Sequence, residues 1–158
     1  MKCAVLTISD TSYMKMRRDE SGPAVKRRLE AEGWEVPLLE VLPDERLMIA
    51  ARLRELAGSG ECNAIFTTGG TGPALRDVTP EATHDVIERE MPGFGELMRL
   101  KGSQFTPLAY LSRSTAGLLG KVLIVNLPGS PKGAIESLEA VIVLVPHAVK
   151  LLNGTIAH

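Results

Sequence analysis

A chain of 158 residues has the size of one ordinary domain and is long enough to bury a core. Its net charge of -1 and aromatic content of 4% exclude the basic footprint of a nucleic-acid binder and the stacking platforms that hold single strands. The rest of the composition, 44% hydrophobic and 23% charged without low-complexity tracts, is that of a globular fold.

The first element is Cys3-Ala-Val-Leu-Thr-Ile8, an apolar run of strand length, and Val36 to Leu42, Ala64 to Thr68 and Val122 to Val125 repeat the pattern. Several of these runs are continuous rather than alternating, which is expected of strands covered on both faces. Helical segments separate them. One starts at Ser21-Gly-Pro and ends near Gly33; a second starts at Pro43-Asp44, with Ile49, Leu53 and Leu56 on one face. Thr79-Pro80 is a third start, with Thr as cap and Pro at the first helical position. A break at Met91-Pro-Gly93 precedes a helix through about Lys101. Ser130-Pro131 opens the last helical region, which includes Val141 to Val145 and bends or breaks at Pro146. Strand-helix alternation predicts a single α/β domain over residues 1–158, three layers deep, with a mostly parallel (mixed) central sheet flanked by helices.

No apolar run approaches the roughly 20 residues that span a bilayer, and Met1 to Asp10 lacks the shape of a signal peptide. Cys3 and Cys62 show neither CxxC spacing nor a nearby His, so they read as reduced thiols and point to a cytoplasmic protein. His84 and His147 have no partners at metal-ligand spacing, and His158 is terminal and uninformative.

Polar residues collect after the strands. Ser9-Asp10 follows the first, Pro43-Asp44 the second, Gly69-Gly70-Thr71-Gly72 the third, and Asn126-Leu-Pro128-Gly129-Ser130-Pro131-Lys132 the last. In open parallel sheets ligands bind at the carboxyl ends of strands, so these loops predict a site; taken singly, each also reads as an ordinary cap or turn. Glycines allow positive φ and bring backbone N–H groups close to an anion. A phosphate beside Asp77 needs a cation between them, and one or two carboxylates plus substrate oxygens are the usual holders of Mg²⁺. The segment TTGGTGPALRDVTPEAT (residues 67–83) thus reads as a nucleotide site with its magnesium, although it is neither a Walker loop nor G-x-G-x-x-G. The plainer reading of Asp77 is an ion pair with Arg76. The cluster Lys15-Met-Arg17-Arg18 reads either as a solvated loop or as a salt-dependent attractor of polyanions.

Together with EREMPGFGELMR (88–99), LSRSTAG (111–117) and NLPGSPKG (126–133), that segment resembles the molybdenum-cofactor biosynthesis domain family. Within it, the similarity is to the molybdopterin adenylyltransferase branch, which includes the amino-terminal domain of gephyrin. It covers nearly the whole chain, while the loop Thr11 to Arg18 departs from relatives in length and composition. The resemblance implies a homotrimer without the metal-inserting domain of fused relatives, acting in the cytoplasm on ATP and molybdopterin with Mg²⁺. It implies transfer of an adenylyl group to the pterin phosphate and hand-over of the product to a molybdate-insertion protein. Asp77 would hold the magnesium, and Asp44 would assist at the reacting centre. Gly69, Gly70, Thr71 and Gly72 would cradle the nucleotide, with Ser9 and Asp10 at the wall. Ser112, Arg113, Ser114, Asn126, Pro128, Gly129, Ser130 and Lys132 would hold molybdopterin. The alternatives are a trimeric pterin-binding paralogue with little turnover, or a nucleotide-dependent transferase acting on another substrate.

Overall fold

Successive strand residues go to opposite sides of the sheet, and both sides are dry. In a computed structural model of the chain, which describes residues 1–154, β1 (Lys2–Ile8), β2 (Glu35–Leu42), β3 (Ala64–Thr68), β4 (Arg89–Glu90), β5 (Ala116–Leu119) and β6 (Val122–Leu127) form one sheet. Cys3, Val5, Phe66, Leu123 and Val125 enter one core, while Ala4, Leu6, Ile65 and Ile124 enter the other. Neither set meets solvent, which is why these runs are apolar at every position.

The first core is closed by α2 (Ser21–Ala31), α5 (Pro92–Gly102), α6 (Pro131–Val141) and α7 (Val145–Leu152), through residues such as Leu29, Met98, Leu138 and Val149. The second is closed by α3 (Arg46–Gly58) and α4 (Thr79–His84), through Ile49, Leu53 and Ala82. A single turn, α1 (Asp10–Tyr13), follows β1. This is the expected three-layer α/β domain.

The strand order is β2-β1-β3-β6-β5-β4. β2, β1, β3 and β6 run parallel, whereas β5 and β4 pair antiparallel at one edge, so the sheet is mixed and mostly parallel. β2 lies on one side of β1 and β3 on the other. The direction of strand addition therefore reverses at β1, which opens a crevice at the carboxyl ends of β1 and β3.

Several boundaries differ from the sequence reading. β6 runs to Leu127, so Asn126 is a strand residue and not part of the loop after it. Val78 precedes α4, placing Thr79 and Pro80 inside the first turn. The Thr79 hydroxyl does not cap that helix: it donates to the Gly69 carbonyl at 2.9 Å and ties the helix to the glycine loop. The helix through Val141 gives way to a 3₁₀ turn at Ile142–Leu144, just before Pro146 in the first turn of α7. A proline ring clashes with the carbonyl four residues earlier, so the break falls on Ile142 and its successors.

Cys3 and Cys62 are free and buried, and burial pushes the Cys3 thiol up to about 12, so it stays protonated and inert. Among the described residues no helix is long and apolar enough to cross a membrane. His158 lies outside them.

Candidate active site

A cavity of about 360 Å³ occupies the crevice at the ends of β1 and β3. β1 contributes Thr7 and Ile8, with Ser9 just after it; β3 contributes Thr68 and the glycines Gly69 and Gly70 after it. Asp44 arrives from the end of β2, Asp77 from the loop before α4, and Gly129 and Ser130 from the turn between β6 and α6. All four strand-end loops singled out in the sequence thus contribute to one wall.

The glycine loop has the backbone that its composition promised. Gly69 and Gly70 take φ of +104° and +64°, two consecutive positive values. A Cβ on Gly69 would lie 2.2 Å from the Ile8 carbonyl oxygen, and one on Gly70 would lie 2.2 Å from the Thr79 hydroxyl. Neither position admits a side chain. The Gly69 N–H donates to the Leu127 carbonyl at 3.0 Å and fixes the loop to β6. The N–H groups of Gly70, Thr71 and Gly72 have no protein acceptor among the described residues. Of these three residues Gly70 lines the cavity, where its free amide suits an anion, while Thr71 is buried and neither it nor Gly72 lines either hollow.

Acidic groups stand beside these donors. One Asp44 oxygen, Oδ2, accepts from the Asp10 N–H at 2.9 Å; a Cβ on Gly70 would lie 3.1 Å from the other, Oδ1. Burial holds the Asp44 carboxyl above its ordinary range, and the negative charges of Asp10 and Asp77 push the same way. Asp77 accepts from the Ala74 N–H at 2.9 Å, closing the turn after the glycines. Arg76 does not pair with its neighbour Asp77. Its guanidinium reaches Asp10 at 2.6 Å and Glu45 at 3.0 Å, leaving Asp77 to the cavity. That pairing holds the Asp10 carboxyl below the usual carboxylate range. Among the described residues no three His, Cys, Asp or Glu side chains form a metal cage. Two carboxylates on a cavity wall nevertheless fit a cation whose other ligands are phosphate oxygens and water.

The remaining predicted residues divide between helix caps, a second hollow and the framework behind the site. Ser9 caps α1 through Ser12, and Ser130 caps α6 through Gly133, while both still line the cavity. Ser112, Pro128 and Ser130 line a second hollow of about 200 Å³ that shares Ser130 with the first. Ser114 is buried and receives a hydrogen bond from the Ser112 hydroxyl at 2.9 Å. Arg113, Asn126 and Lys132 are engaged elsewhere. The Arg113 guanidinium binds Glu81 and the carbonyls of Gly72 and Asp77, bracing the glycine loop from behind. Asn126 is wholly buried and donates to the Thr67 and Thr83 hydroxyls at 3.0 and 2.9 Å, joining β3 to α4. Lys132 sits on neither cavity wall and lies 3.8 Å from Glu136.

Sequence reasoning missed Thr7, Thr68 and Asp19 as lining residues. Asp19 accepts from the Thr7 hydroxyl at 2.7 Å and from the Gly22 N–H at 3.0 Å. Its only local signal was an Asp just before the Ser-Gly-Pro helix start. The two threonines, read from sequence, are ordinary strand residues.

Residues 4–147 match the family described as the probable molybdopterin binding domain. The molybdopterin adenylyltransferase of Helicobacter pylori is 45% identical over 153 residues, covering 95% of this chain and 86% of that protein. The molybdopterin adenylyltransferase of Escherichia coli K12 is 39% identical, covering 98% and 86%. Among solved structures, the molybdopterin biosynthesis enzyme MoaB of Thermus thermophilus superimposes with a TM-score of 0.91 at 48% identity, covering 97% of this chain and 96% of that one.

Proposed function

The chain belongs to the molybdopterin-binding domain family, and from that premise we propose that it is a molybdopterin adenylyltransferase. It transfers the adenylyl group of ATP to the terminal phosphate of molybdopterin and releases pyrophosphate. The observation that carries this reading is the conjunction of the positive-φ Gly69–Gly70 turn, with the free amide of Gly70, and the carboxylates Asp44 and Asp77 on the same cavity wall.

An oxygen of the pterin phosphate attacks the α-phosphorus of ATP. The bond from that phosphorus to the oxygen bridging the β-phosphate breaks, and its electron pair leaves with pyrophosphate. The attacking phosphate is anionic near neutral pH, so the step needs no strong base, and positioning with charge compensation supplies the catalysis. The Gly70 amide, on the cavity wall, orients a phosphate oxygen without reorganising during the reaction, and Thr71 and Gly72 continue the loop behind it. Asp77 would hold magnesium, and Asp44, on the same wall, would assist at the reacting centre. When bound, magnesium supplies neutralisation of the triphosphate charge. Ser130, on the boundary of the two hollows, and Ser112, on the smaller one, offer hydroxyls to molybdopterin. Arg113 and Asn126 shape the site from behind.

A homotrimer in the cytoplasm belongs to this reading. Its support is the exposure of Leu100, Phe105, Leu108, Tyr110 and Leu111 within one stretch of the chain, apolar surface that a subunit contact would cover. Free buried thiols suit a reducing compartment. Handing the adenylylated product to a molybdate-insertion protein completes the proposal. The test is pyrophosphate release by purified protein given ATP, Mg²⁺ and molybdopterin. Release that requires molybdopterin, accompanied by an adenylylated pterin in the mass spectrum, is expected. Molybdopterin binding without release would indicate the binding-only paralogue.

A further inference from the structure

The strand-end cavity has a cationic side that the mechanism above leaves unused. Arg17 and Arg18, on the loop between α1 and α2, line the same cavity as Gly69, Gly70 and Asp77. Both are exposed, and neither guanidinium is paired with a carboxylate or carbonyl among the described residues. The other arginines at this strand edge are committed: Arg76 to Asp10 and Glu45, Arg113 to Glu81 and two carbonyls. Among the described residues neither Asp19, which is turned to Thr7 and Gly22, nor Glu20 forms an ion pair with either arginine.

The loop that carries the two arginines is also held in place. The N–H groups of Met16 and Arg17 both donate to the Thr11 carbonyl, at 2.9 and 3.2 Å. Lys15 takes φ of +57°, a left-handed conformation uncommon for a residue with a side chain. A strained turn stapled to α1 sends Arg17 and Arg18 from a fixed backbone to the cavity, while Lys15 is absent from its wall.

We propose that Arg17 and Arg18 bind the β- and γ-phosphates of the nucleotide and then the pyrophosphate that leaves. The proposal rests on the adenylyl-transfer reading for the step it serves, though not for the anion site itself. As the bond between the α-phosphorus and the bridging oxygen breaks, negative charge accumulates on the departing group. A guanidinium offers a planar fork of donors that matches two phosphate oxygens at once. The cavity already carries Asp19, Glu20, Asp44 and Asp77, so a polyanion entering it needs cations besides the one at Asp77.

The test is calorimetric titration of the full chain with inorganic pyrophosphate and Mg²⁺ at several salt concentrations. Arg17→Ala and Arg18→Ala should each weaken pyrophosphate binding by roughly tenfold and flatten its salt dependence. Lys15→Asn removes a charge from the same loop but keeps a residue type tolerant of positive φ, and should change the affinity by less than about twofold. Adenosine, which has no phosphate, should bind all variants alike. Unchanged pyrophosphate affinity in the Arg17→Ala/Arg18→Ala double variant overturns the proposal. A parallel loss of adenosine affinity also overturns it, because the loop would then be shaping the cavity rather than binding phosphate. If Arg-dependent pyrophosphate binding persists in a protein that never adenylylates molybdopterin, the anion site stands and the reaction assignment falls.

Discussion

Asp10 and Asp44 cap each other: the Asp10 N–H donates to Asp44 Oδ2 at 2.9 Å, and the Asp44 N–H donates to Asp10 Oδ1 at 3.0 Å. Just before them, the Ser9 N–H donates to the Leu42 carbonyl at 2.9 Å, so the ends of β1 and β2 are sewn together for one step beyond the sheet. The clamp sets the direction of the Asp44 carboxylate toward the glycine loop. Asp10→Ala removes the acceptor for Asp44 and the partner of Arg76 in one change. We expect a stability loss of about 1–2 kcal/mol in urea titrations, from one orphaned amide and one exposed ion pair. The turnover number should fall by roughly tenfold with a smaller change in the KM for ATP, because positioning is lost rather than uniform binding. The Asp10 N–H that holds Asp44 Oδ2 survives the substitution, so wild-type turnover would mean that the side-chain half of the clamp does not position the site.

Acid should destabilise the fold through the ion-paired carboxylates. Arg76 holds Asp10 below its ordinary range, Arg46 does the same for Asp85, and Arg28 for Glu139. A carboxyl depressed in the folded state stabilises above its unfolded value, about 4 for these side chains, and loses that contribution as pH falls through the folded value. Glu81, against the effect of burial, is held low by Arg113 and acts in the same sense, and Asp44, raised by burial, is one group against these four. The melting temperature should therefore drop between about pH 5 and pH 3, and Arg76→Ala should make the drop shallower. A melting temperature that is flat or rises on acidification contradicts this assignment.

The sheet interior was legible because its physics is local to each strand. Continuous runs such as Ala64 to Thr68 report burial on both faces whatever their neighbours are. The antiparallel edge was not legible. Arg89–Glu90 is two exposed residues, and Ala116–Leu119 is four residues with a glycine, too short for either to show a period. At the site, the glycines and Asp77 were readable because conformational freedom and charge belong to the residue itself. Commitments across the fold were not. Arg76 chose Asp10, 66 positions away, over the adjacent Asp77. Arg113 looked like a free charge for a ligand until Glu81 and two carbonyls were seen to surround it. Thr79 carried a capping signal, and its hydroxyl went instead to Gly69.

Gly70→Ala places a Cβ at a φ of +64° and 2.2 Å from the Thr79 hydroxyl. Positive φ alone costs on the order of 1 kcal/mol for alanine, and the collision adds to it. The variant should be less stable and should raise the ATP dissociation constant, both by calorimetry. Adding Thr79→Ala relieves the collision but not the backbone strain. The double variant should therefore recover part of the stability of Gly70→Ala, although Thr79→Ala alone destabilises by removing the bond to Gly69. This non-additivity is the signature of direct contact. Strict additivity would mean that the loop relaxes away from Thr79.

Asp77 has two separable roles, and two substitutions tell them apart. Its Oδ2 closes the turn by accepting from the Ala74 N–H at 2.9 Å, a task that a neutral oxygen also performs. The proposed hold on magnesium requires the charge. Asp77→Asn keeps the acceptor and removes the charge; Asp77→Ala removes both. If the charge matters, both variants should lose pyrophosphate release by at least about 100-fold, the scale seen when a single electrostatic contact to a transition state is deleted. Molybdopterin affinity should stay within a few-fold of wild type in both, since the lesion lies on the nucleotide side. Only Asp77→Ala should melt earlier. An Asp77→Asn variant with wild-type turnover and an unstable, inactive Asp77→Ala would assign this residue to the turn alone. The cation would then have to be placed by Asp44 and the phosphates themselves.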